Sequence, residues 1–120
     1  MEFKEQQSIF QQIAERVIEQ ILINEIKADD KLTSVRETAG KLGVNPNTIM
    51  RAYTELLNAE IIYNKRGIGY FVSKTAKKTI LEKRKEEFLR NEIPEFINKI
   101  KMLEINDNEL EEIISLIKNN

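Results

Sequence analysis

The side chains of this sequence with chemistry to offer sit in its middle, and that chemistry is recognition, not bond making. Arg51 presents a planar fork of N–H donors that can span the O6 and N7 acceptors of a guanine. Asn47 and Thr48, one helical turn before it, suit adenine edges, thymine methyls or phosphates. Asn45 is a good helix cap that can also touch phosphate. Arg36 opens an earlier segment just after Ser34 and could reach a backbone or a base from the side. Lys65 and Arg66 bring positive charge to phosphates or an adjacent minor groove. Gly67 and Gly69 let that point approach closely without side-chain bulk.

Each residue also has a plain reading. Arg36 with Glu37 could be a solvated helix surface, and Arg51 could pair with Glu55 four residues on. Lys65-Arg66 could be an ordinary exposed turn. Tyr53, Tyr63, Tyr70 and Phe71 are read as core, not as stacking platforms. The functional case therefore rests on the joint order of the elements.

Those elements are legible from periodicity. Ile9, Phe10, Ile13, Val17, Ile18, Ile21 and Leu22 form one apolar stripe, and Ser8 with Gln11 reads as a capping box. Asn24 to Lys31 reads as a turn. A second helix starts at the Ser34-Val35-Arg36-Glu37 box and stops at Gly43. A third runs from Pro46 to about Ala59, with Ile49, Ala52, Tyr53, Leu56 and Leu57 buried. The short β-prone runs Ile61 to Tyr63 and Tyr70 to Val72, joined through Lys65 to Gly69, make a hairpin. Two short helices with a tight turn have helix-turn-helix dimensions, and such a pair sets the N-terminal end of its second helix into the major groove.

Composition narrows the classes. The chain has 120 residues, with Lys plus Arg at 19, Asp plus Glu at 20, and a formal net charge of −1. That average hides polarity: Ser34 to Val72 carry a net of +2, and Leu103 to Asn120 a net of −4. A basic middle suits a local nucleic-acid face. With no Cys and no His, thiolate zinc sites, Cys nucleophiles and His-dependent triads are excluded, and no metal or cofactor is expected. Neighbouring carboxylates such as Glu86-Glu87 and Glu111-Glu112 point apart on a helix, so no enzyme activity is expected. Met1 to Glu5 are too polar for a signal peptide, and a cytoplasmic location without a membrane partner is expected.

The middle of the chain resembles the winged helix-turn-helix of GntR-type transcriptional regulators. The likeness lies in Ile9 to Ile13, Lys31 to Glu37, Leu42 to Tyr53 and Gly67 to Val72, and covers about residues 8 to 73. The Asn-Pro-Asn-Thr…Arg-Ala-Tyr run and the short C-terminal part are similar to the YtrA-like subfamily. The resemblance implies a homodimeric repressor on a pseudo-palindromic operator, acting on an adjacent ABC-transporter operon and its own gene. It implies DNA contacts from the box around Ser34 and Arg36, from Asn45, Asn47, Thr48 and Arg51, and from Lys65, Arg66 and Gly67. Four departures stand out: Thr33 where proline is usual, Gly40 in place of a helix former, Ile68 at an often polar wing position, and Met50 where relatives place Arg. Base preferences of those relatives therefore do not transfer.

Two parts are expected: residues 1–73 as the winged helix-turn-helix and 74–120 as a helical dimerisation segment. In the latter Leu81, Phe88, Leu89, Phe96, Ile97, Ile100 and Leu103 mark one stripe, with a kink or break near Glu92 imposed by Pro94. Asn106 caps a last helix with Leu110, Ile113, Ile114 and Ile117 on one face. Two helices enclose no drug-sized pocket, and no constellation identifies a small-molecule effector. Their stripes need a partner, and a two-fold homodimer fits better than helices folded back on a monomer. Leu81, Phe88, Phe96, Ile100, Leu110, Ile113 and Ile117 are the expected dimer residues. Lys77, Lys78, Lys83, Arg84 and Lys85 are read as a solvated face. The competing reading is a winged-helix protein–protein interaction module without specific DNA binding. It calls for an apolar outer face on the third helix, where this chain has Asn47, Thr48 and Arg51.

Overall fold

Four of the helices start where a side chain, Ser8, Ser34, Asn45 or Asn106, satisfies one of the first free amides. The computed structural model describes residues 7–119, so the run Met1 to Glu5 lies outside the described residues. Helix α1 spans Ile9–Leu22, opened by a reciprocal Ser8–Gln11 capping box. Its stripe buries Ile13, Ala14, Val17 and Ile21. Helix α2 spans Val35–Leu42. The Ser34 hydroxyl accepts from the Glu37 amide at 3.1 Å, but the return bond of the expected box is not formed. Gly43 ends α2 in the left-handed region at φ +66°, where a side chain is disfavoured. Helix α3, Pro46–Asn58, has Asn45 as its cap and Pro46 at its first position. It buries Ile49, Ala52, Tyr53 and Leu56, while Leu57 is half-buried.

Strands β1 (Ile62–Lys65) and β2 (Gly69–Val72) pair antiparallel, with Ile62 opposite Val72 and Lys65 opposite Gly69. The segment after α1, expected as a turn, also adds a short rung to the outer edge of β2. The Asp29 amide donates to the Val72 carbonyl at 2.8 Å, and the Leu32 amide to the Tyr70 carbonyl at 2.8 Å. The Val72 amide donates back to the Asp30 carbonyl at 2.9 Å. The hairpin is thereby fastened to the linker between α1 and α2.

Two compact units emerge. The first runs to Glu82, because helix α4 (Ala76–Glu87) contributes Ala76 and Ile80 to the core. That core joins α1, α3, the hairpin and Leu32 around Ile49, Leu56 and Val72, its fully buried large side chains.

The second unit begins at Lys83. Pro94 does not break the helical run around it. Proline has no N–H to return to the carbonyl four residues back, and its ring crowds that carbonyl. The backbone widens instead into a π-helical stretch, Phe88–Glu92, with the Ile93 amide bonded to the Phe88 carbonyl. Helix α5, Ile93–Met102, follows. Helix α6, Asp107–Lys118, is opened by a reciprocal Asn106–Glu109 capping box. Neither α5 nor α6 buries a single residue. Phe96, Ile97, Leu103, Ile114 and Ile117 are all exposed.

Gly40 lies inside α2 with open space around its missing Cβ. Gly40→Ala is therefore expected to stabilise the chain by about 0.5–1 kcal/mol, the helix-interior difference between the two residues. A thermal melt checks it; a lower melting temperature would show that the site is not an unstrained helical position.

Candidate nucleic-acid interface

Helix α3 divides its residues between two faces. One is sealed in the core; the other presents Asn47, Thr48, Arg51, Thr54 and Glu55 to the outside, Thr48 half-buried and the rest exposed. Asn47, Thr48 and Arg51 share one face because positions one turn apart stack along a helix. Asn45 acts as the cap: its Oδ1 accepts from the Asn47 amide at 2.8 Å. Pro46 has no N–H, and the Thr48 amide donates to the Asn45 carbonyl at 2.9 Å, so Asn45 engages both amides that follow the proline.

Arg51 does not pair with Glu55. Its guanidinium lies over the ring of Phe10, with Cζ 4.2 Å from the ring centre. Among the described residues no hydrogen bond engages its N–H donors. Phe10, read from the sequence only as part of the α1 stripe, is thus a member of this site.

Helix α2 contributes Ser34 and Arg36 from its exposed first turn. The start of α2 is tied to α3 by a buried tyrosine. The Tyr53 hydroxyl donates to the Thr33 carbonyl at 2.6 Å and lies 3.2 Å from the Thr38 hydroxyl. Burial pushes the Tyr53 phenol above its ordinary value, so it stays a donor at neutral pH. The tie uses the Thr33 carbonyl, which every residue has, so threonine in place of proline leaves it intact. The sequence reading of Tyr53 as core holds, but its hydroxyl also ties α3 to the start of α2.

The hairpin differs from expectation at Lys65. Its place in the joining segment predicts a loop charge, yet it closes β1 and folds its ammonium over the Phe71 ring, 4.9 Å from the centre. The turn itself is Arg66, Gly67 and Ile68, closed by the Ile68 amide on the Lys65 carbonyl at 2.9 Å. Gly67 sits at φ +78° and leaves the tip without bulk. Ile68 is 59% exposed beside it. Lys31 passes against Gly69, where an added Cβ would meet its Cε at 3.0 Å. Tyr63, Tyr70 and Phe71 are half-buried: Tyr63 stacks on Phe71, and Tyr70 meets Tyr53 edge-on at 5.2 Å.

Asp29 locks this hairpin. Its left-handed backbone, φ +66°, is one that Asp tolerates. Its carboxylate accepts from the Tyr63 hydroxyl at 2.9 Å and pairs with the Lys74 ammonium at 3.1 Å. The Tyr63 bond, then Lys74, holds the Asp29 carboxyl below its ordinary value of 3.8. The same bond raises the Tyr63 phenol. A depressed carboxyl stabilises the fold above its unfolded pKa, and that contribution is lost as pH falls through the folded value. Asp29→Asn is therefore expected to unfold at lower urea than wild type near neutrality, with the two midpoints converging below about pH 4. A constant gap across that range would show that the charge plays no part. The pair is largely exposed, so the gap is expected to be small.

The described residues contain no cluster of acidic, His or Cys side chains able to hold a metal, and no helix long and apolar enough to cross a membrane.

Comparison with known proteins agrees with this geometry. Residues 9–72 match the gntR family of bacterial regulatory proteins. The HTH-type transcriptional regulator YhcF of Bacillus subtilis is 33% identical over 109 residues, covering 91% of this chain and 88% of that protein. The HTH-type transcriptional repressor YtrA of the same organism is 43% identical over 74 residues, covering 62% of this chain and 57% of that protein. A crystal structure assigned to a GntR-family regulator of Bacteroides thetaiotaomicron superposes with a TM-score of 0.76 at 39% identity, covering 94% of this chain and all of that one. An outward polar face on α3, a capped α2 start, a basic hairpin tip and this match over most of the chain lead to one assignment: the chain belongs to the gntR family of bacterial regulatory proteins, transcriptional regulators and not enzymes.

Proposed function

We propose that this chain is a cytoplasmic homodimeric repressor that binds a pseudo-palindromic operator. Residues 1–73 read the DNA and residues 74–120 join the two copies. The observation that carries the reading is the outward face of α3, where Asn47 and Arg51 stand exposed and Thr48 half-buried opposite a sealed apolar face. In this reading α3 enters the major groove and Arg51 takes a base edge. Asn47 and Thr48 take bases or phosphates. Ser34, Arg36 and Asn45 hold the backbone from the helix starts, and Lys65, Arg66 and Gly67 approach the adjoining groove. Lys65, drawn over Phe71, serves as a phosphate contact from the side of the wing and not from its tip.

Dimerisation through Leu81, Phe88, Phe96, Ile100, Leu110, Ile113 and Ile117 is supported by α5 and α6, which bury no residue in the single chain. Helices of that kind need an apolar partner to be stable. The likeness to a protein named as a repressor supports the sign of regulation. The resemblance to the YtrA-like subfamily points to its own gene and an ABC-transporter operon as targets.

Fluorescence anisotropy tests the reading. The chain is titrated into the duplex upstream of its own gene and into a scrambled duplex, at two salt concentrations. Preference for the upstream duplex that survives added salt supports it. Weak binding, equal on both duplexes and abolished by salt, is charge attraction alone and leaves either an operator elsewhere or the interaction-module alternative.

A further inference from the structure

We infer that Phe10 of α1, outside the helix-turn-helix, is a positioning residue that sets the direction of the Arg51 fork. The inference rests on the proposal that α3 reads DNA. An exposed arginine has a long stem and many rotamers, and ordering it on a base costs entropy. Here its head is already held, with the guanidinium carbon 4.2 Å from the Phe10 ring centre. Stacking uses the face of the guanidinium, whereas base reading uses its edge. The two are compatible, and among the described residues the edge donors carry no hydrogen bond. A pairing with Glu55 would consume that edge; the structure sets the guanidinium over the Phe10 ring instead.

The platform is rigid. Phe10 is half-buried and packs against the core. It lies in the first turn of α1, which the Ser8–Gln11 capping box fixes from both sides at 3.1 and 3.3 Å. The α1 stripe next to it, Ile13 and Val17, is sealed in the same core as the inner face of α3. The ring therefore moves with α3, and its direction is passed to Arg51.

The test uses the full chain and a duplex that the wild type enriches from a random pool, compared with a scrambled duplex. Phe10→Leu keeps an apolar side chain and removes the π face. It is expected to lower the selected-to-scrambled affinity ratio about fivefold, the size of one partly desolvated cation–π contact. Phe10→Trp, which restores a π face, is expected to recover the ratio. In an Arg51→Ala background, Phe10→Leu is expected to change the ratio no further. Thermal melts separate folding from readout. An unchanged ratio in Phe10→Leu overturns the inference while leaving DNA reading standing. So does an equal loss on both duplexes, or an effect that simply adds to that of Arg51→Ala. A wild type that enriches no sequence overturns both.

Discussion

Replacing Arg51 by alanine is expected to lower affinity for the enriched duplex by about tenfold to a hundredfold per half-site, the worth of one bidentate base contact. Binding to a scrambled duplex is expected to change little. The direction follows from where the guanidinium sits. It is exposed on the outward face of α3, and Phe10, not an acidic neighbour, holds it. Its removal leaves the core untouched, because Ile49, Ala52, Tyr53 and Leu56 line the opposite face. Anisotropy on both duplexes measures the change. An equal loss on both would recast Arg51 as a phosphate contact and move base reading to Asn47 and Thr48.

The second large effect concerns the helices that bury nothing. A chain carrying both Phe96→Glu and Ile113→Glu is expected to be monomeric and to bind the enriched duplex more than about a hundredfold more weakly. Placing two carboxylates in an apolar interface leaves them desolvated without partners. Losing the dimer then removes the high effective concentration of the second reading head. Both residues lie in the second unit, so the melt of the winged helix, with its own core, is expected to be retained. Sedimentation equilibrium and anisotropy on one preparation decide it. A dimer that survives both charges would place the interface elsewhere. A monomer that binds as tightly as wild type would remove the two-fold operator from the account.

Much of the fold was legible because the local signals agreed with one another. The apolar spacing of α1, the serine and asparagine caps, Pro46 at its favoured position and Gly43 at a left-handed stop all point to one arrangement. The site was legible as far as helix faces go: Asn47 and Thr48 lie where their spacing puts them. What spacing could not carry was tertiary. Asn24 to Lys31 looks like a turn, and only the partner strand turns its end, with Leu32, into a rung on β2. Asp29 gave a turn signal, yet its carboxylate reaches Tyr63, distant in the chain. Lys65 looked like a loop charge until Phe71 placed a ring beneath it. Phe10 read as one apolar residue among seven, because nothing in a helical period reveals that an arginine from another helix will lie on its ring. Pro94 announced a disturbance in the helix, but whether the backbone breaks or widens depends on the bonds available around it.

In the proposed function two copies of α3 read one two-fold site. Sequencing the duplexes that the wild-type chain enriches from a random pool tests that claim most directly. The prediction is an inverted repeat with half-sites centred about one helical turn apart, roughly 34 Å, or a multiple of it. Enrichment of a lone, asymmetric half-site, or of no sequence at all, would contradict it.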